Sequence, residues 1–163
     1  MHLYCPNCFH PNESSSEYCE KCKSLLIWKE KSYEEKLIKS LSHREPATAL
    51  LAANLLSNFK SSKSEKALKS IALRSEDPYV QAAAVNSLKT IGSSKTLPVL
   101  KKVAVSGYLI SRLKAIDAIE KFGSTKEIDF LQKLTGDANS HIREKAIKAI
   151  KKIGQENDFS NKA

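Results

Sequence analysis

The feature that most limits how this chain can fold is a helical pattern that returns three times at a fixed interval. The three copies are YVQAAAVNSLKTIG (79–92), ISRLKAIDAIEKFG (110–123) and HIREKAIKAIKKIG (141–154), and their final glycines lie 31 residues apart. Within each copy, apolar residues recur three or four positions apart, as they do along one face of an α-helix. A glycine directly after such a pattern is typical of a helix C-cap. The repeat therefore predicts three equivalent helices that end at Gly92, Gly123 and Gly154.

Shorter amphipathic segments alternate with these helices. KTLPVLKKVAV (95–105) and KEIDFLQKLTG (126–136) lie between the copies, and SEKALKSIAL (64–73) precedes the first copy. Segments 33–41 and 50–59 continue the alternation toward the N-terminus. The sequence thus predicts a mainly α fold with about four helix pairs in residues 29–154, followed by a disordered tail at 155–163. Because one pair cannot bury its own apolar stripe, we expect the pairs to stack into an α-solenoid.

The repeated unit resembles the HEAT repeat, in the short form of about 30 residues known from phycobilisome lyases. The resemblance rests on Asp77-Pro78-Tyr79-Val80 and on Ile91-Gly92. Arg112 and Arg143 stand at the arginine position of that unit, where the earlier copy has Gln81. The resemblance implies a HEAT-like solenoid whose second helices line a concave surface, and a repeat that carries no catalysis by itself.

The only four cysteines of the chain form two CxxC pairs near its N-terminus. Cys5 and Cys8 make the first pair, Cys19 and Cys22 the second, and ten residues separate the pairs. Two such pairs can supply the four thiolates of one tetrahedral site, which favours zinc, although spacing alone does not exclude iron. Two disulfides, or four free thiols, are the alternative. Because four cysteines fill the coordination shell, we predict a structural metal site.

Residues 1–28 also resemble the short zinc ribbons found at the ends of many bacterial and archaeal proteins. Pro6, Asn12 and Tyr18 fit that pattern along with the cysteines. The glycine that usually follows each CxxC is replaced here by Phe9 and by Lys23. These positions often require a left-handed backbone, so the replacement costs roughly 1 kcal/mol, which zinc binding easily outweighs. We expect residues 24–28, which end at Trp28, to join the ribbon to the first helix.

Charge is distributed unevenly along the chain. Lys and Arg number 27 against 18 Asp and Glu, a formal net charge of +9, yet residues 1–28 contain two lysines and three glutamates. On the second helices, positive charge increases toward the C-terminus. The residues predicted to bind a partner are Arg112, Lys114, Lys121, Arg143, Lys145, Lys148 and Lys152.

A basic concave surface suits an acidic macromolecule. An acidic protein segment is the favoured partner, and nucleic acid, bound through its phosphates with weak sequence specificity, is the alternative. Lysines on a helical surface also serve solubility alone. No phosphate-binding loop, nucleophile elbow or helical metal motif is present, and no apolar run is long enough to span a membrane. We therefore predict a non-enzymatic, cytoplasmic adaptor that binds no small-molecule substrate.

Overall fold

The computed structural model describes residues 2–5, 7–8, 10–13, 16–26 and 32–160. The N-terminal part contains two short antiparallel strands, β1 (His2–Tyr4) and β2 (Pro11–Glu13), with Leu3 opposite Asn12. A single antiparallel bridge joins Tyr18 to Leu25. Of residues 24–28, predicted to form the joint, Ile27 and Trp28 lie outside the described residues.

Eight α-helices follow in the described part of the chain, and they confirm the predicted mainly α fold of four helix pairs. Each pair consists of a first helix, a turn and a second helix. A 3₁₀ turn precedes the first helix of the last two pairs, at Ser94–Thr96 and Thr125–Glu127. The helices are α1 (Tyr33–Ser40), α2 (Pro46–Leu56), α3 (Ser62–Arg74), α4 (Pro78–Ile91), α5 (Leu97–Ser106), α6 (Leu109–Phe122), α7 (Ile128–Leu134) and α8 (Ser140–Ser160).

The pairs stack through their second helices. Helix α4 packs between α2 and α6, and α6 packs between α4 and α8, whereas the first helices α3 and α5 meet less extensively. One continuous core results, since each second helix contributes fully buried aliphatic side chains to it. These include Ala53, Leu56, Val85, Leu88, Ile116, Ile119, Ala149 and Ile153. The stacking is that of an α-solenoid.

Short polar side chains start many of the helices. Asp77 accepts hydrogen bonds from the backbone amides of Tyr79 (2.9 Å) and Val80 (2.8 Å) and so caps the N-terminus of α4. Ser32 and Glu35 form a reciprocal capping box at α1, and a second box lies before α7. Since the first turn of a helix leaves amides without intrahelical partners, these caps fix where each element begins.

The three predicted C-cap glycines behave differently. Gly92 ends α4 in the left-handed conformation (φ 79°), as expected. Gly123 also ends its helix, but with an extended backbone. Gly154 lies inside α8, so its predicted role is wrong, and residues 155–160 of the predicted disordered tail are helical. Serines at the N-cap positions of the following 3₁₀ turns come after Gly92 and Gly123, and of these Ser124 caps with its side chain. GlnGluAsn follows Gly154, and nothing in these residues stops the helix.

Candidate metal centre and interaction surfaces

The four cysteine sulfurs converge at one point of the N-terminal module. All four Sγ atoms lie within 4.8 Å of one another. The Sγ atoms of Cys5 and Cys22 are 3.5 Å apart and those of Cys8 and Cys19 are 3.6 Å apart. These separations exceed the roughly 2.05 Å of a disulfide bond and approach the edge of about 3.8 Å that a tetrahedron with metal–sulfur bonds of roughly 2.3 Å requires. None of the four cysteines forms a disulfide, and their arrangement fits one tetrahedral metal ion.

The two CxxC turns have the same backbone design. The amide of Cys5 donates to the carbonyl of His10 (2.9 Å), and the amide of Cys19 donates to the carbonyl of Ser24 (2.8 Å), five residues on in both cases. Lys23 has φ 56°, which confirms the left-handed backbone predicted at the position of the missing glycine. Phe9, the corresponding residue of the first turn, lies outside the described residues. The second turn therefore keeps the left-handed geometry without a glycine.

Asn12 joins the two turns. Its side chain is 3% exposed. Its Nδ2 donates to the carbonyl of His10 (2.6 Å), while its Oδ1 accepts from the amide of Glu20 (2.9 Å). Since His10 belongs to the first turn and Glu20 to the second, one buried amide sets the distance between the two cysteine pairs.

The protonation of the thiols depends on their neighbours. The Ser24 hydroxyl lies 3.0 Å from the Cys22 sulfur and lowers the pKa of that thiol to about 5. A backbone hydrogen bond at His10 lowers the pKa of Cys8, but burial and the adjacent cysteines together raise it to about 12. A metal ion that binds here must displace the proton from Cys8, since thiolates are the ligands.

The two arginines predicted to bind a partner serve the framework instead. Arg112 of α6 pairs with Asp137, in the turn before α8, and its Nε donates to the carbonyl of Ala104 in α5 (2.8 Å). Arg143 donates through Nη1 to the carbonyls of Asp137 (2.8 Å) and Ala138 (2.9 Å). Both guanidinium groups are thus engaged within the solenoid.

Gln81 occupies the same repeat position in α4. Its Oε1 accepts a hydrogen bond from the amide of Tyr108 (3.0 Å), at the turn before α6. Gln81 and Arg112 therefore each link a second helix to the turn that starts the next one. Alignment of the repeats shows that Gln81 and Arg112 hold equivalent positions, but it does not show that their side chains form contacts within the solenoid.

The five predicted lysines divide into two groups. Lys145 pairs with Asp117, and Lys152 pairs with Glu120 (2.8 Å), so each joins α8 to α6. None of the other three forms a salt bridge with a described residue: Lys114, Lys121 and Lys148. Of the predicted basic surface, these three keep a charge that no described acid neutralises.

The N-terminal half of the same surface carries little charge, since α2 has no charged residue and α4 has Lys89 alone. Leu51 of α2 is 57% exposed, and Asn54 and Asn86 are exposed at equivalent positions of α2 and α4. We refer to the following side chains, which lie on successive second helices, as the second-helix row. They are Leu51, Asn54, Asn86, Lys114, Lys121 and Lys148.

Sequence reasoning missed the larger concentration of charge, which lies on the first helices. Helices α3, α5 and α7, with the 3₁₀ turns before them, contain nine lysines and arginines against three acids, or +6 of the chain's +9. Counting charges separately on the two kinds of helix would have found it. No described helix is long and apolar enough to cross a membrane.

Comparison with known protein families agrees with the stacking of helix pairs. The model of the family described as HEAT repeats matches residues 34–108, from α1 to the turn before α6. The same helix pairing continues through α8 beyond that match. No curated protein sequence matches the chain significantly. Residues 34–108 are thus similar to HEAT repeats, while the resemblance to the short form in phycobilisome lyases remains a prediction.

Proposed function

We propose that this protein is a non-enzymatic, cytoplasmic scaffold whose HEAT-type solenoid binds an acidic segment of another protein along the second-helix row. In this proposal residues 1–28 form a structural zinc ribbon and residues 29–154 the binding solenoid. HEAT repeats commonly mediate protein–protein interaction, and the match at residues 34–108 supports such a role here.

The observation that carries the proposal is the chemical gradient along the second-helix row. Leu51, Asn54 and Asn86 offer apolar and amide groups at one end, while the three unpaired lysines lie on α6 and α8 at the other. Amide groups hydrogen-bond to peptide groups, and lysines attract carboxylates. An extended protein segment with uncharged residues followed by acidic ones complements both halves.

Nucleic acid is the weaker alternative. A phosphate backbone carries charge at regular short intervals and is best met by cations along its whole length. The first two repeats of the second-helix row carry none. Moreover, Arg112 and Arg143, which have the planar donor groups suited to phosphates and base edges, are engaged inside the solenoid. The partner is accordingly proposed to be a protein.

Zinc is the proposed metal of the ribbon because four converging thiolates are the donor set that zinc takes in structural sites. Iron accepts the same donors, and elemental analysis of the purified protein distinguishes the two. Since four cysteines leave no open position for a substrate, the proposed role of the metal is to hold the ribbon folded.

The test of the proposal is affinity purification from lysate with and without nuclease. The variant that reverses charge in the second-helix row is Lys114→Glu/Lys121→Glu/Lys148→Glu. Its matched control, with the same change of net charge on exposed lysines of the first helices and the 3₁₀ turn before α5, is Lys66→Glu/Lys95→Glu/Lys133→Glu. We expect protein partners that withstand nuclease, remain with the control and are lost from the first variant. Partners that vanish with nuclease would establish the nucleic-acid alternative, and equal capture by all three baits would refute the row as a binding site.

A further inference from the structure

A shallow groove lies on the outer side of the first helices, away from the second-helix row. It is lined by Leu73 of α3, by four residues of α5 and by Phe130 of α7, and its volume is about 440 Å³. The α5 residues are Lys101, Lys102, Val105 and Ser106. We call this the first-helix groove. Because its lining comes from three consecutive repeats, it exists only when the repeats are stacked.

The floor of the first-helix groove is apolar and open to solvent. Leu73 is 44% exposed and Val105 is 58% exposed. The two residues hold equivalent positions of successive first helices, so they form a stripe across the array rather than two isolated contacts. Phe130 extends the stripe to α7, where it is half-buried. Covering these side chains with apolar groups of a ligand is favourable in free energy, since it removes apolar surface from water.

Two lysines, Lys101 and Lys102, line the first-helix groove, and its lining contains no acid. Glu65 pairs with Lys69 (2.5 Å) and Glu127 pairs with Lys101 (3.3 Å), and both carboxylate side chains are nearly buried. Lys102, which lines the groove, is exposed and forms no salt bridge with a described residue. Glu127 thus neutralises Lys101 and leaves Lys102 available to an acidic ligand, while Asp129, next to Phe130 in the sequence, is exposed.

We infer that the first-helix groove binds an acidic, amphipathic segment of a second protein, with aliphatic side chains on Leu73 and Val105 and carboxylates at Lys102. This inference goes beyond the proposed function, because the groove lies on different helices from the second-helix row and does not depend on it. A scaffold that presents both surfaces can hold two proteins at once. The charge of Lys102 favours acidic residues beside the apolar part of the segment. The stripe favours aliphatic residues spaced so that they contact two repeats.

A random peptide library displayed on phage tests the inference with the full-length, metal-loaded protein as bait. We expect the selected peptides to combine aliphatic residues, spaced to reach both repeats, with flanking Asp or Glu. A synthetic copy of a selected peptide is then titrated against variants by fluorescence anisotropy. Leu73→Ser/Val105→Ser should weaken its binding by about tenfold or more, as loss of a central apolar contact does. Lys102→Glu should weaken it by a smaller factor.

Matched controls separate the groove from general effects. Leu51→Ser removes an equally exposed leucine from the second-helix row, and Lys151→Glu reverses an exposed lysine of α8; neither should change the affinity. The second-helix row variant should also bind the peptide normally, so the inference stands or falls separately from the proposed function. Thermal unfolding of each variant verifies that it is folded, as expected for substitutions of exposed residues.

Four results would overturn the inference. The library could yield no acidic amphipathic consensus, or the selected peptide could bind the Leu73→Ser/Val105→Ser variant as tightly as the native protein. An oligonucleotide that displaces the peptide, with affinity sensitive to Lys102→Glu but not to the apolar substitutions, would make the rim a polyanion site. Self-association that is lost in the groove variant would assign the groove to a second copy of the chain.

Discussion

At the scale of the residue, two lysines hold backbone conformations that usually belong to glycine. Lys23 has φ 56° and Lys60 has φ 47°. Lys60 follows α2 at the position that Gly92 (φ 79°) takes after α4, so one repeat uses glycine and its neighbour does not. A side chain in this region of backbone space costs about 1 kcal/mol.

Substitutions at Lys60 and at Gly92 should therefore change the free energy of unfolding in opposite directions. Lys60→Gly should raise the free energy of unfolding by up to about 1 kcal/mol, and Gly92→Ala should lower it by a similar amount. Space does not limit the second change, because a Cβ at Gly92 would have its nearest neighbour at 3.8 Å. Urea unfolding followed by circular dichroism measures both. If Gly92→Ala proved neutral, the left-handed conformation at residue 92 would be in doubt.

Asn12 links the two cysteine turns, so its removal should weaken metal binding. Asn12→Ala removes the partner of the Glu20 amide and one of the two donors to the His10 carbonyl, so metal affinity should fall by about 10- to 100-fold, as it does when groups that position ligands are removed. Asn12→Asp keeps the acceptor for Glu20 but loses the donor to His10. Its affinity should lie between those of the native protein and the alanine variant. Competition with a chromophoric zinc chelator measures all three, and equal affinities would show that Asn12 does not set the geometry of the site.

At the scale of the element, Arg112 connects three parts of the solenoid: α6, the carbonyl of Ala104 in α5 and Asp137 before α8. Arg143, at the equivalent position, bonds only to carbonyls of its own repeat. Hydrogen bonds to charged, partly buried groups contribute about 1.5–3 kcal/mol, so Arg112→Ala should destabilise the protein by about 2–3 kcal/mol and Arg143→Ala by about 1 kcal/mol. Equal losses in chemical denaturation would refute this ranking.

The Arg112 contact should also depend on pH. The hydrogen bond from Arg112 lowers the pKa of Asp137 below its ordinary value of 3.8. A carboxyl group with a lowered pKa in the folded state stabilises the fold fully above its unfolded pKa and loses that contribution as pH falls through the folded value. The stability difference between the native protein and Arg112→Ala should consequently be largest near neutral pH and shrink below about pH 4. Unfolding curves at several pH values measure it, and a difference independent of pH would contradict the ion pair.

Much of the element structure follows from the sequence, because helical periodicity, capping residues and the spacing of glycines are local properties. The stop at Gly92 and the cap at Asp77 are of this kind. The partners of Arg112 and Lys145 are not local properties, because they depend on which side chain of the neighbouring repeat lies opposite after stacking. The sequence therefore shows which positions are basic, but it does not show which of these side chains form contacts between repeats. The convergence of the cysteines was predictable because two CxxC turns separated by ten residues can bring all four sulfur atoms to one point.

At the scale of the whole molecule, the N-terminal module and the solenoid differ in what they bury. The solenoid has a continuous apolar core, whereas the buried cluster of the described ribbon residues consists of cysteines and Leu26. We expect the purified protein to contain about one equivalent of metal, and chelation to unfold the ribbon while the helices remain. Elemental analysis, helical circular dichroism and limited proteolysis within residues 1–31 test this. Cys5→Ser/Cys8→Ser should behave like the chelated protein.

Two outcomes would oppose this division. Less than about half an equivalent of metal after gentle purification would argue against the four-cysteine site. Loss of helical signal on chelation would mean that the solenoid needs the ribbon to fold. If instead the metal-free protein keeps its helices and its proteolysis is confined to the N-terminal residues, the two parts are thermodynamically separate.

The last second helix differs from those before it on the side where another repeat would stack. Ala82 and Leu113 are replaced there by Glu144, and Ile147 is 43% exposed although Val85 and Ile116 at the same position are fully buried. Glu144 makes further addition of an identical unit costly, because a carboxylate would lose its water. In the proposed function α8 marks one end of the second-helix row, and a copy of α5–α6 inserted before α7 should lengthen that row by one helix pair while Glu144 keeps its exposed position.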